Sequence, residues 1–133
     1  MSKNPTTLYL HGGPGLNCVV ERAWFGENYP VIWWDQPRLS ADTENAYQTT
    51  LDAAAEKLAE FHALQGQPVH VYGWSFGARF ALDLANRTPE AIDTLTLLAP
   101  TLCLETAFER IARYLASKAG PLHSNSIVLR TAG

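Results

Sequence analysis

Apolar and polar residues alternate along this chain in blocks that change period. Short runs, Thr6-Thr7-Leu8-Tyr9-Leu10, Pro30-Val31-Ile32-Trp33-Trp34-Asp35, Val69-His70-Val71-Tyr72 and Ile92 to Leu98, are β-prone and bounded by turn residues. Between them the period lengthens. From Thr49 to Leu64, Leu51, Ala54, Ala55, Leu58 and Phe61 recur at three- and four-residue spacing, while Asp52, Glu56, Lys57 and Glu60 point elsewhere. Thr49 and Asp52 resemble a capping box, and Gly66 with Pro68 supplies the stop. A second helix is expected from Phe76 to Asn86, ended by Arg87-Thr88-Pro89, and a short one within Leu16 to Asn28. The Pro30–Asp35 run, apolar throughout, reads as a strand covered on both faces.

Strands alternating with helices predict a parallel sheet joined by right-handed crossovers, an α/β fold of about four strands flanked by helices. After Pro100 the pattern changes. Thr106 and Glu109 form a capping box for a helix reaching Ala119, with Phe108, Ile111 and Leu115 on one face. We therefore expect a core over residues 1–100, and over 101–133 either the start of a helical cap or a tail that covers the sheet edge.

Two glycine-rich turns carry the candidate chemistry. Gly73-Trp74-Ser75-Phe76-Gly77 follows the third strand and opens a helix. In a G-x-S-x-G turn of this kind the serine is held in strained dihedrals, and small residues two before and two after let strand and helix approach. The strain lifts the hydroxyl clear of the sheet, and the next N–H faces the substrate carbonyl. His11-Gly12-Gly13-Pro14-Gly15 follows the first strand, where glycines free the backbone to present a second N–H. Taken together, the two motifs resemble the α/β-hydrolase superfamily, most closely its proline iminopeptidase-like branch and esterase relatives. The resemblance covers the amino-terminal half of such proteins.

That resemblance implies a serine hydrolase, acting on a small ester or peptide, with Ser75 as nucleophile. It implies an oxyanion hole of the Gly13 and Phe76 N–H groups, with Trp74 and Gly12 lining the substrate site. It implies the strand order Pro30–Asp35, Thr6–Leu10, elbow strand, Ile92–Leu98, a truncated α/β-hydrolase core. The family's turn after the second strand is kept at Asp35, Gln36 and Ser40, without its usual glycine.

Acyl transfer also needs a base and an acid, in the chain order serine, acid, histidine. His123 is the only histidine downstream of Ser75, but it follows a cap-like helix instead of a strand. His11 belongs to the glycine loop, while His62 and His70 fall on a helix and a strand. Glu105, Glu109, Asp83 and Asp93 read as surface or scaffold carboxylates. The usual acid and base are thus unassigned. Three readings follow: a hydrolase core belonging to a longer enzyme, a short chain that completes its site by self-association, or a hydrolase-like binding module without turnover. This chain alone is expected to be weak or inactive.

Composition narrows the partners. The 133 residues are 47% hydrophobic with formal charge −3 and no basic runs, which speaks against nucleic acid. Cys18 and Cys103 form neither a disulfide framework nor a metal-ligand cluster, so no cofactor and no metal are expected. The start lacks an apolar signal core and no run approaches membrane-spanning length, so a cytoplasmic chain without membrane contact is expected. Ile92 to Leu98 has the composition of an interior strand, and its open edge invites a homodimer, cover by the Thr106–Ala119 helix, or capture of Ser126-Ile127-Val128-Leu129. Trp24, Trp33, Trp34 and Phe76 read first as core, and Arg79 as a solvated charge.

Overall fold

The computed structural model describes residues 6–26 and 29–118. The chain divides into two compact units, Met1–Leu102 and Cys103–Gly133. In the first, β1 (Thr7–Leu10), α1 (Val19–Phe25), β2 (Val31–Trp34), α2 (Ala46–Gln65), β3 (Val69–Trp74), α3 (Gly77–Arg87) and β4 (Ile92–Leu98) follow in order, with a 3-10 turn, Pro89–Ala91, leading into β4. The second holds α4 (Leu104–Lys118).

The four strands are parallel in the order β2-β1-β3-β4, the order expected. Because side chains alternate along each strand, Leu8, Leu10 and Val71 share one face and Tyr9, Trp33 and Tyr72 the other. The first face holds the core. Leu51, Ala54, Leu58 and Phe61 of α2 and Ala78, Phe80, Ala81 and Leu84 of α3 are all buried, as are Leu8, Leu10, Val69 and Val71. On the second face the described cover is α1.

Several local expectations are corrected. β2 is an edge strand whose first three residues are only half-buried, so it is not covered on both faces. α2 starts three residues before Thr49, because Asn45 caps it. Asn45 adopts a left-handed conformation (φ 52°), and its Oδ1 accepts the Gln48 N–H at 3.4 Å, leaving Thr49 inside the helix to donate to the Asn45 carbonyl. The stop at Gly66 is as expected, in a left-handed C-cap whose N–H returns to the His62 carbonyl. Asn45→Ala should lower stability by about 1 kcal/mol and Asn45→Gly by a few tenths. Matched urea curves for the two variants check this.

β4 has the bounds expected of it, yet none of its residues is buried, and among the described residues it pairs with β3 alone. Its apolar composition therefore does not mark an interior strand here. In the second unit, α4 begins at Leu104, which places Thr106 within the first turn. There its hydroxyl donates to Cys103 Sγ at 3.3 Å instead of forming a capping box with Glu109. His123 and the 126–129 stretch lie outside the described residues.

Candidate active site

Ser75 stands at the tip of the turn from β3 into α3 with φ 51°, one of three non-glycine residues with positive φ among those described. For an L-residue this left-handed conformation stores strain, and it persists only where surrounding structure over-determines it. The two flanking glycines explain how. A Cβ on Gly73 would stand 2.6 Å from Ala78 Cα, and one on Gly77 would overlap the carbonyl oxygens of Leu10 and His11. Strand, helix and the end of β1 are thus in backbone contact around the serine, which side chains at either position would prevent.

The clamp is completed from β4. The Ser75 N–H donates to the Leu98 carbonyl at 2.8 Å, and the Ser75 carbonyl accepts the Thr101 N–H at 3.0 Å. Ala99, between these partners, is itself left-handed at φ 45°. The Ser75 and Thr101 hydroxyls lie 3.2 Å apart. Thr101 thus belongs to the site, and no sequence motif announced it. Ser75→Gly should raise stability by about 1 kcal/mol as the strain is relieved. Thermal and urea unfolding of that variant beside Ser75→Ala, which keeps the strain, provide the measurement.

The glycine loop reaches the serine directly. A Cβ on Gly12 would lie 3.1 Å from Ser75 Cβ and 3.8 Å from Ser75 Oγ. Gly13 follows at φ 75°, a conformation that favours glycine. Among the described residues, neither the Gly13 nor the Phe76 N–H donates to a backbone or side-chain acceptor. Phe76 itself is buried, packed edge-on to Phe80 and Tyr47, so its side chain is core while its amide sits beside Ser75.

Gln36 braces this loop. It is 6% exposed, and its Oε1 accepts the Gly15 N–H at 2.8 Å while its Nε2 donates to the Gly13 carbonyl at 3.2 Å. His11 is fully buried beside it. The His11 Nδ1–H donates to the Gly12 carbonyl at 2.8 Å, and Nε2 accepts the Gln36 N–H at 3.2 Å. Both ring nitrogens are therefore occupied in one neutral tautomer, which removes His11 as a base for Ser75. Asp35, next in the turn, accepts the Cys18 N–H and pairs with Arg22 at 2.9 Å. Partial burial works against its charge, but the Cys18 N–H and the Arg22 guanidinium outweigh that and hold its carboxyl below the usual range. The turn is thus built without the missing glycine. Burial, with the nearby charges of Asp35 and Glu21, pushes the Cys18 thiol up to about 12, so it is no nucleophile at neutral pH.

The remaining histidines and carboxylates stand elsewhere. His70 lies at the start of β3, roughly 16 Å from Ser75 by strand rise, against Thr94 and Asp93. His62 lies in the last turn of α2. Asp83 accepts from Tyr47 and Arg79, and Arg79, an exposed charge as expected, also donates to the Leu102 carbonyl and so links α3 to the segment after β4. Among the described residues no imidazole or carboxylate is hydrogen-bonded to Ser75, and none of their His, Cys, Asp and Glu side chains group in threes to hold a metal ion. No helix among them is long and apolar enough to cross a membrane. Trp74 lines a cavity on the second sheet face with Trp33, and Trp24, expected in the core, is 81% exposed.

The chain superposes in part on solved hydrolases. A serine hydrolase from Cycloclasticus zankles matches over 74% of this chain and 38% of its own, with TM-score 0.55 and 26% identity. The fold is that of the α/β-hydrolases. The 2-hydroxy-6-oxo-6-phenylhexa-2,4-dienoate hydrolase of Rhodococcus sp. strain RHA1 matches at TM-score 0.55 and 22% identity, over 75% of this chain and 40% of its own. An uncharacterized protein of Synechocystis sp. is 35% identical over 74 residues, which is 56% of this chain and 28% of that protein. No family model matches. The α/β-hydrolase fold seen here therefore spans well under half the length of each of these relatives.

Proposed function

We propose that this chain is a serine hydrolase module that transfers acyl groups through Ser75, with the Phe76 and Gly13 N–H groups as oxyanion donors. The observation that carries this reading is the left-handed Ser75, held against Gly12 and clamped by Gly73, Gly77 and the 98–101 segment. Such strain in a buried turn is maintained at a cost, and presenting a hydroxyl beside free backbone donors is the return. The loop His11–Gly15 favours the proline iminopeptidase-like branch, with small esters or peptides as substrates.

The hydroxyl's neighbour is Thr101, which cannot accept a proton at neutral pH as an imidazole can. Among the described residues no base reaches the hydroxyl, so we infer that turnover by this chain alone is low and that further polypeptide, in a longer or associated protein, supplies the base. A fluorophosphonate probe tests the reading. Slow, stoichiometric phosphonylation of the parent, lost in Ser75→Ala and kept in His123→Ala, supports it. Rapid ester turnover abolished by His123→Ala would show a complete triad, with His123 as the base. Absence of labelling, with substrate analogues still bound, would leave the binding-module reading. Self-association is proposed through the edge of β4, and sedimentation showing a monomer at all concentrations would exclude it.

A further inference from the structure

The second face of the sheet carries chemistry that acyl transfer at Ser75 does not use. Between this face and α1 lies a half-open cavity of about 540 Å³, within the size range of small-molecule sites. Its wall is largely aromatic, with Tyr9, Trp24, Phe25, Trp33, Tyr72 and Trp74 among its rings. The rings hold one another in place. Tyr9 meets Trp33 edge-on at 5.0 Å and stacks on Tyr72 at 5.4 Å, and Phe25 stacks on Trp33 at 6.2 Å.

One charged group sits in that wall. Glu21, on α1, is 7% exposed, and its hydrogen-bond partner is the Tyr9 hydroxyl at 3.1 Å. Among the described residues it forms no ion pair, and the neighbouring Arg22 is taken by Asp35. A carboxylate removed from water without a cation is costly unless the site supplies or receives one. Among the described residues the buried Trp33 indole N–H has no acceptor. Aromatic faces carry the negative part of the ring quadrupole, so they attract cations that shed water easily.

We propose that this cavity binds an organic ammonium cation bearing alkyl or aryl substituents, with Glu21 as counter-ion and the aromatic rings as its wall. A neutral apolar guest would leave Glu21 unpaired, and an anion would meet it directly. A small inorganic cation would have to surrender its hydration shell to rings that replace it poorly. Binding here does not depend on the chemistry proposed for Ser75.

The test is titration of the purified chain with benzyltrimethylammonium and with neopentylbenzene, its uncharged analogue of the same shape, read by tryptophan fluorescence. The cation is expected to bind about tenfold or more tightly than the neutral probe, and Glu21→Gln to lose most of that preference, the remainder coming from the rings. Phe25→Leu, which keeps the charge and takes one ring, is expected to weaken the cation by roughly threefold. Ser75→Ala should bind as the parent does. Equal affinity for the two probes, no binding of the cation, or a Glu21→Gln variant that keeps the preference would each overturn the proposal. Should Glu21→Gln fail to fold, the comparison of probes on the parent and on Phe25→Leu still decides it.

Discussion

Gly77→Ala is expected to lower the stability of the Met1–Leu102 unit by about 3–5 kcal/mol, a large part of what a small domain possesses. The added Cβ would overlap the Leu10 and His11 carbonyl oxygens, which belong to backbone and not to a flexible side chain. Neither can yield alone. Leu10 is paired to both Trp34 and Gly73 in the sheet, and His11 is tied to Gly12 and Gln36. Relief must come from moving α3 away from β1, which opens the core around Phe80 and Leu84. The urea midpoint should fall by about 2 M, given a slope of 1–3 kcal/mol/M for small domains. Gly15→Ala is the control. Gly15 has a positive φ of 69° but nothing within 4 Å of an added Cβ, so its penalty is the conformational one of about 1 kcal/mol. Similar losses at the two positions would mean that α3 and β1 are not in the backbone contact described.

Gln36→Ala is expected to cost about 2–3 kcal/mol and to slow phosphonylation of Ser75 at least tenfold. The stability loss follows from leaving the Gly15 N–H and the Gly13 carbonyl without their partner in a partly buried loop. The loss of reactivity follows from the loop itself. Gly13 holds its proposed donor N–H in place only while its own carbonyl is anchored, and Gln36 Nε2 is that anchor. Gln36→Glu separates the two functions of the side chain. It can still accept from Gly15, but it places a carboxylate oxygen against the Gly13 and His11 carbonyls where the amide donated. Its labelling rate should be no better than that of Gln36→Ala. A rate equal to the parent's in either variant would show that the glycine loop takes no part in the reaction.

The strands, the helices and the glycine-flanked turn at Ser75 were legible in the sequence because each rests on local rules, whereas the strand order came from the resemblance to the α/β-hydrolases. A period of two or of 3.6 residues is written in consecutive side chains. Glycine at 73 and 77 marks close approach wherever strand meets helix. Gly66 ends α2 because a left-handed cap needs no tertiary partner. The start of α2 was misplaced because two capping candidates, Asn45 and Thr49, lie within one turn of each other, and the left-handed backbone at Asn45 is not visible in residue identity.

What residue identity could not convey is which groups meet across distance. Thr101 lies 26 residues beyond Ser75, and it arrives beside the hydroxyl only because β4 pairs with β3 in register up to Trp74 and Leu98. The roles of His11 and Gln36 are likewise set by β1 and β2 ending side by side, where one buried imidazole has both nitrogens used by neighbours. Burial divided the tryptophans in the same way. Trp34 faces the core, whereas Trp33 and the 81% exposed Trp24 border the cavity, although all three read alike as core residues. The pairing of Glu21 with Tyr9 inside an aromatic wall has no sequence signature, since α1 and β1 contribute one residue each. The chain by itself determined where the tight turn falls, because Gly73 and Gly77 flank Ser75 in sequence, while the end of β1 and the 98–101 segment hold the serine in its left-handed conformation. Tertiary structure alone decided what surrounds the strained serine, because hydrogen-bond partners are chosen by the packing of elements distant in the chain.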